Sequence, residues 1–354
     1  METRILAAMA RDGFERVLAI HDRRSRLRAF LGVHDTSVGP ALGGIRRWAY
    51  LEENQALRDC LRLALAMSRK CCLADVAAGG GKLVLIDAPG VDWERAYAYV
   101  GRVVQSLGGL FYTGPDVGTG ERELEWVARA TEFVTHPGPS GPGRLSDATA
   151  EGVFAGIAAA LRHVDGEEDW PRRRVVVQGL GAVGLRLARR LVERGVSVVA
   201  ADVDGGKAEA ARRELAIELA DPSRELDLSC DVFAPCALGG ILHDLTVERL
   251  ACRIVAGGAN NVLVRTEHAL RLFERGILYV PDFVINAGAL VRGATFHLDG
   301  RREPIERIGE RIGRTTSELL RRASEAGEAP ETVALREADR RITERRREDE
   351  PALS

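Results

Sequence analysis

Apolar residues recur along this chain with two periods, and the points where the period changes outline its elements. Val175, Val176 and Val177 are consecutive, the mark of a strand buried on both faces, and Gly179, Gly181 and Gly184 follow in the spacing G-x-G-x-x-G. A helical pattern opens there (Leu185, Leu187, Ala188, Leu191, Val192), and a second apolar strand runs from Val198 to end at Asp202. This is a β-α-β unit with its glycines placed for a dinucleotide. Gly179 permits the tight turn, Gly181 leaves room for a pyrophosphate, and Gly184 lets helix and strand pack closely, with the helix N-terminus facing the phosphates. Asp202 stands 23 residues after Gly179, where a carboxylate accepts from ribose hydroxyls and repels a 2′-phosphate, so the spacing predicts NAD over NADP.

Around this unit the pattern is again alternating strands and helices. Residues 16–34 predict a hairpin at a sheet edge, with His34-Asp35-Thr36 a polar strand end feeding a turn at Gly39-Pro40. Gly39 to Arg46 is too glycine-rich for an element interior and predicts a loop lining a cavity. A helix is predicted from about Glu53 to Arg69, delivering Lys70 at its end, and Gly79-Gly80-Gly81 predicts a turn that holds Lys82 at the mouth of the strand Leu83–Ile86. Another strand ends at Gly114-Pro115 and presents Asp116 ahead of a helix beginning at Glu121.

Pro and Gly are densest over Val134–Arg144, which predicts the crossover between two domains. A helix from about Ser146 to Arg162 then enters the second domain. Past Asp202 come a helix at Gly206–Leu219 and strands at Val232–Ala234, Arg253–Ala256 and Ile277–Val280. Repeated β then α predicts a doubly wound sheet with ligand at the strand C-ends. A helical tail begins near Pro304, and its mixed-sign end, Arg336 to Glu350, reads as a solvated face packed back on the first domain. The expected architecture is α/β: a catalytic domain over 1–137 completed by helices over about 298–354, a Rossmann-type NAD-binding domain over 138–297, and a cleft between them.

Composition narrows the function. The 354 residues carry 50 basic against 52 acidic side chains, a net charge near −2, so no global field draws the chain to nucleic acid or anionic lipid. No long apolar run or signal-like leader is present, so a cytoplasmic protein without membrane or nucleic-acid partners is expected. The cysteines 60, 71, 72, 230, 236 and 252 lack C-x-x-C or His-pair spacing, and neither disulfides nor a metal site are expected.

Three polar groups at element ends have the chemistry of an amine/carbonyl redox site. One ammonium binds a substrate carboxylate, one lysine of lowered pKa activates water, and one carboxylate carries protons to and from the amine. Lys70, Lys82 and Asp116 supply the set, with Lys70 expected to help push Lys82 towards neutrality. As a bare pattern, Asp116 serves equally as an Asx turn or helix cap.

The blocks His34-Asp-Thr, Gly39-Pro-Ala-Leu-Gly-Gly, Lys70, Gly79-Gly-Gly-Lys82, Pro115-Asp-Val-Gly-Thr119, Val177 to Gly184, Cys230 to Gly239, Ala256 to Asn261 and Pro281 to Gly288 resemble the leucine/phenylalanine/valine branch of the Glu/Leu/Phe/Val amino acid dehydrogenases, in family order over almost the whole chain. The resemblance implies NAD-dependent oxidative deamination of an L-amino acid to the 2-oxo acid and ammonia, in a homo-oligomer. It implies Lys82 and Asp116 as catalytic residues. It places Lys70, Leu42, Gly43, Gly114, Asn286, Leu290 and Gly293 around the substrate. Thr149, Gly179, Leu180, Gly181, Ala182, Val183, Gly184, Asp202, Cys236, Ala237, Asn260 and Asn286 fall around the cofactor.

Lys70-Cys-Cys replaces the usual Lys-Asn pair, and Asn286-Ala-Gly-Ala289 replaces Asn-Ala-Gly-Gly. These departures touch substrate choice more than the reaction. Gly114 and Leu290 match phenylalanine-type relatives, and Gly293 removes a further branched side chain, so a large aromatic substrate, phenylalanine or tryptophan, is expected. Leucine or valine is the alternative, with Phe283 or Phe296 refilling the pocket. Arg292 is the sole hint of a glutamate-type cation, and a non-catalytic protein on the same fold would need the Lys70, Lys82 and Asp116 set broken.

Overall fold

The computed structural model describes residues 4–135 and 141–349, so residues 136–140 of the expected crossover lie outside the described residues. Two compact units are formed, one of Met1–Gly143, Gly293–Arg301 and Ala338–Ser354, the other of Arg144–Arg292 and Arg302–Glu337. The α/β class is as expected.

The first unit runs α1 (Ile5–Asp12), β1 (Arg16–Asp22), β2 (Leu27–Val33), β3 (Ala41–Trp48), α2 (Glu53–Leu73), β4 (Gly79–Ile86), α3 (Trp93–Ser106), β5 (Phe111–Gly114) and α4 (Glu121–Ala128). Its sheet has the order β1-β2-β4-β3-β5; β1, β2 and β4 are antiparallel neighbours, and β3 lies parallel to β4 and β5. The expected hairpin is β1-β2, at the sheet edge. Strand alternation separates two faces. Ile45, Leu83, Leu85 and Phe111 join Tyr97, Val100 and Leu124 of α3 and α4 in one core, while Val84 and Ile86 pack with Leu57, Cys60 and Ala64 of α2 in another.

Two glycine-rich stretches read as loop and turn are strand. Gly39–Arg46 enters β3 at Ala41, and Gly79–Gly81 opens β4 with Lys82 inside it. Their glycines serve close approach. A Cβ on Gly80 would lie 2.1 Å from the Ser68 nitrogen of α2, and one on Gly44 would lie 2.5 Å from the Pro115 carbonyl oxygen. Glycine here lets a helix and a turn settle on the sheet without breaking its ladder.

The second unit runs α5 (Leu145–Asp165), β6 (Arg174–Gln178), α6 (Gly184–Glu193), β7 (Ser197–Ala201), α7 (Gly205–Leu215), β8 (Glu218–Leu219), β9 (Cys230–Pro235), α8 (Thr246–Arg249), β10 (Cys252–Val255), α9 (Glu267–Glu274), β11 (Leu278–Tyr279) and α10 (Asp282–Ile285). Then follow α11 (Gly288–Asp299), α12 (Ile305–Ala326) and α13 (Pro330–Asp349). Six parallel strands take the order β11-β10-β9-β6-β7-β8, the doubly wound sheet predicted. The helix expected to reach Leu219 stops at Leu215, where Ala216 turns left-handed (φ 54°) and β8 begins.

The tail divides differently from expectation. Helix α12 belongs to the second unit: a Cβ on Gly152 of α5 would lie 2.4 Å from Ile312 Cδ1, and Leu320 enters the core around β6. From Ala338 on, α13 joins the first unit, with Arg69 Nε 2.7 Å from Asp339. Among the described residues no helix is long and apolar enough to cross a membrane.

Candidate active site

The face of the first sheet that carries α2 also carries the candidate chemistry. Alternation puts Leu42, Gly44 and Arg46 of β3, Lys82 of β4, and Tyr112 and Gly114 of β5 on that side. Because Gly44 has no side chain, the Pro115-Asp116 turn folds over it, where a Cβ would come within 3.0 Å of Asp116 Cβ. Asp116 therefore faces Lys82. The Lys82 Nζ lies 2.7 Å from Asp116 Oδ2, with the two side chains 6% and 13% exposed. Asp116 is not the cap of α4, whose N-cap is Gly120.

Burial pushes the Lys82 ammonium down from its ordinary value against the opposing pull of Asp116, and Arg46 adds to the lowering. Burial alone would raise Asp116, but the Lys82 and Arg46 charges outweigh it and hold the carboxyl below the usual range. The cation set against Lys82 is thus Arg46, whereas Lys70 had been expected. Arg46 Nε donates to Asp116 Oδ2 at 2.9 Å and its Nη1 to Asp59 Oδ2 at 3.1 Å. It was missed because its stretch read as loop. The alternation Leu42, Gly44, Arg46 was the available signal.

Lys70 is half-buried in the last turn of α2, on the helix that Gly80 draws onto the sheet at Ser68. The two cysteines after it are buried, and Cys71 Sγ donates to the Gly79 carbonyl at 3.2 Å. Leu42 is 6% exposed, while Gly43 turns to the opposite face, where a Cβ would collide with the Gly81 carbonyl. Gly114 and Gly293 both border Thr135: a Cβ on the first would lie 3.3 Å from Thr135 Cβ, and one on the second 3.7 Å from its Cγ2. Thr135 Oγ1 pairs with His297 Nε2 at 2.9 Å, and the His297 ring lies 5.1 Å from that of Tyr112. Leu290 is three residues before Gly293 on α11, on the same helix face. Arg292 donates to the Glu303 carbonyl.

In the second unit the expected cofactor residues also converge. The Asp202 carboxylate caps the glycine loop, accepting from Leu180 N at 2.7 Å and Asp204 N at 2.8 Å. Around Gly181 a Cβ would meet nothing within 4 Å, whereas at Gly184 it would strike the Gly179 carbonyl and at Gly179 the Ala237 backbone, beside Cys236. Ala182 and Val183 lead into α6. This open, N–H-lined turn ahead of a helix fits a pyrophosphate. Asn286 Nδ2 donates to Asn260 Oδ1 at 2.8 Å, and Ala289 N, three residues after Asn286, donates to Thr149 Oγ1 at 3.2 Å.

Residues 15–133 match the family model "Glu/Leu/Phe/Val dehydrogenase, dimerisation domain", and residues 141–207 and 207–295 match "Glutamate/Leucine/Phenylalanine/Valine dehydrogenase". The chain belongs to the Glu/Leu/Phe/Val amino acid dehydrogenase family. It is 38% identical over 303 residues to the leucine dehydrogenase of Thermoactinomyces intermedius, covering 85% of this chain and 83% of that one. Phenylalanine dehydrogenase of the same organism is 39% identical over 295 residues, 82% and 81% of the two chains. The crystal structure of L-tryptophan dehydrogenase from Nostoc punctiforme superposes with a TM-score of 0.83 at 35% identity, covering 97% of this chain and 99% of that one. The protein is accordingly an amino acid dehydrogenase of the leucine/phenylalanine/tryptophan type, an oxidoreductase acting on CH–NH₂ donors, in a family dependent on a nicotinamide dinucleotide.

Proposed function

We propose that this dehydrogenase deaminates a large aromatic L-amino acid, phenylalanine or tryptophan, reversibly and with NAD. The buried Lys82–Asp116 contact carries the chemistry. Lys70 binds the substrate carboxylate. When bound, the nicotinamide accepts the hydride from Cα. Lys82, its ammonium weakened by burial, takes a proton from the water that attacks the resulting iminium carbon, and Asp116 carries protons as the carbinolamine collapses and ammonia leaves.

Support for an aromatic side chain comes from Gly114 and Gly293, which face one neighbour, Thr135, and from the ring of Tyr112 beside Leu42 in register. The competing reading, leucine or valine, draws on Thr135 itself, whose side chain takes part of the volume the two glycines free. Arg292, engaged with the Glu303 carbonyl, lends no support to a glutamate enzyme. For the cofactor, Asp202 keeps two of its roughly four lone-pair positions beyond its backbone bonds, enough for ribose hydroxyls, and its charge opposes a 2′-phosphate. A homo-oligomer in the cytoplasm is the expected form, consistent with the "dimerisation domain" description and with β1 at a sheet edge.

Following NADH absorbance, kcat/KM for phenylalanine or tryptophan should exceed that for leucine and valine by roughly tens- to hundreds-fold, the scale of a few methylene contacts. A clear win for leucine or valine would make the glycines matters of backbone alone. The same assay with NADP⁺ should give the lower kcat/KM, and parity would remove the role given to Asp202.

A further inference from the structure

Asp116 meets two cations on a single oxygen. Lys82 Nζ is 2.7 Å and Arg46 Nε 2.9 Å from Oδ2, and the Arg46 side chain is 15% exposed. Arg46 is itself anchored. Its Nη1 reaches Asp59 Oδ2 at 3.1 Å, an oxygen that also accepts from Tyr50 Oη at 2.6 Å, while Arg62 Nη2 holds the other Asp59 oxygen at 2.6 Å. Three elements thus converge on one carboxylate: β4 through Lys82, β3 through Arg46, and α2 through Asp59 behind it. A guanidinium spans two carboxylates because its donors are fixed in a plane, which a lysine in its place would not reproduce.

We propose that Arg46, anchored by Asp59, is a positioning residue for the reaction: it holds Asp116 Oδ2 against Lys82, turns Oδ1 to the proton it carries, and supplies the positive charge against which Lys82 gives up its own proton. The inference rests on the roles assigned above to Lys82 and Asp116. The groups facing Lys82 are Asp116 from the turn after β5, Arg46 from β3, and Asp59 and the Cys60 thiol from α2. Asp116 and Asp59 favour the ammonium and Arg46 opposes it. Removing Arg46 therefore takes away the cation that bridges the two carboxylates and makes Lys82 hold its proton more tightly, whereas neutralising Asp59 does the reverse.

The two signs provide the test. In Arg46→Gln the acidic limb of the kcat/KM profile for oxidative deamination should move up by about one pH unit, the scale of one nearby charge, and in Asp59→Asn it should move down. Arg46→Lys should keep the limb near its wild-type position while losing kcat by about ten- to a hundredfold, because the charge stays and the alignment does not. The pH dependence of Lys82 acylation, read by peptide mass spectrometry, should shift in the same directions without turnover. A folded Arg46→Gln enzyme with an unmoved limb overturns the inference, as does one with unchanged kcat. Should that variant not fold, Asp59→Asn decides alone: a downward shift supports the role, and no shift or an upward one overturns it. Lys82→Ala separates the layers. If it keeps kcat, the assignment of the site fails, and if it loses kcat while the Arg46→Gln limb stays put, only the role of Arg46 does.

Discussion

In the proposed reaction Lys82 is the residue on which the chemistry turns, and its setting is costly. A lysine 5% exposed gives up most of its hydration, and the Asp116 contact at 2.7 Å, with the Asp59 charge behind it, keeps the ammonium form within reach. Both partners are shifted from the ordinary value for their type, as is common at functional sites. Lys82→Ala and Asp116→Asn should therefore lose kcat by roughly two to four orders of magnitude, the range for positioned acid/base groups, while Lys70→Ala should act mainly on the amino-acid KM. Steady-state kinetics on folded variants check this, and a Lys82→Ala enzyme with normal kcat contradicts it. Lys82 and Asp116, which the structure brings into contact, could be singled out in the sequence because short glycine-bounded motifs carry them. Arg46 was not: its partners Asp59 and Asp116 lie 13 and 70 positions away, and a charged residue next to Gly43-Gly44 reads by default as solvated loop.

At the scale of elements, local signals and packing divide the information. The βαβ unit around Gly179 was readable because strand, turn and helix are contiguous, whereas β3 and the start of β4 were not, because their glycines answer to α2 and to the Pro115 turn, partners distant in sequence. His34 shows what such packing does to a titratable group. It follows β2, and its ring meets Ser68 Oγ of α2 at 2.7 Å and the Asp12 carbonyl of α1 at 3.0 Å. A carbonyl only accepts, so Nε2 donates to it, and in the neutral ring Nδ1 accepts from Ser68 Oγ. Burial, reinforced by the Arg346 charge, lowers the pKa from 6.5 to about 4. Between those values the unfolded chain binds the extra proton, so the stability contributed by the neutral ring is intact above about pH 6.5 and is lost as pH falls towards 4. From pH 7 to pH 5 the loss should be about 2 kcal/mol, at about 1.4 kcal/mol per unit below the unfolded value. Urea unfolding at the two pH values measures it. His34→Gln should flatten this part of the profile, and parallel declines in variant and wild type would assign the effect to other groups.

At the scale of the whole molecule, the first unit is closed by residues from the far end of the chain. A charged helix announces its solvated face in sequence, but not which neighbour receives its other face: α12, expected with the first unit, groups with the second, and the end of α13 groups with the first. Arg346 is the contact that matters most there. Its Nε donates to Asp35 Oδ1 at 2.8 Å across 311 positions, its Nη2 donates to the His34 carbonyl at 2.9 Å, and Asp35 is only 3% exposed. Arg346→Ala would strand a buried carboxylate with, among the described residues, the Ser37 hydroxyl at 3.1 Å as its side-chain partner, and should cost about 2–4 kcal/mol of unfolding free energy. The pair is separable from the helix that carries it. Adding Asp35→Asn removes the uncompensated charge, so the double variant should recover most of that loss, a non-additivity that simple loss of helix packing does not produce. Arg346 also resists charging of His34, more strongly than Arg69 does, so the single variant should lose less stability between pH 7 and pH 5 than the wild type does. Urea unfolding of the two variants settles both points together: additive losses, or an unchanged pH slope, would mean that α13 stabilises the first unit through its packing alone.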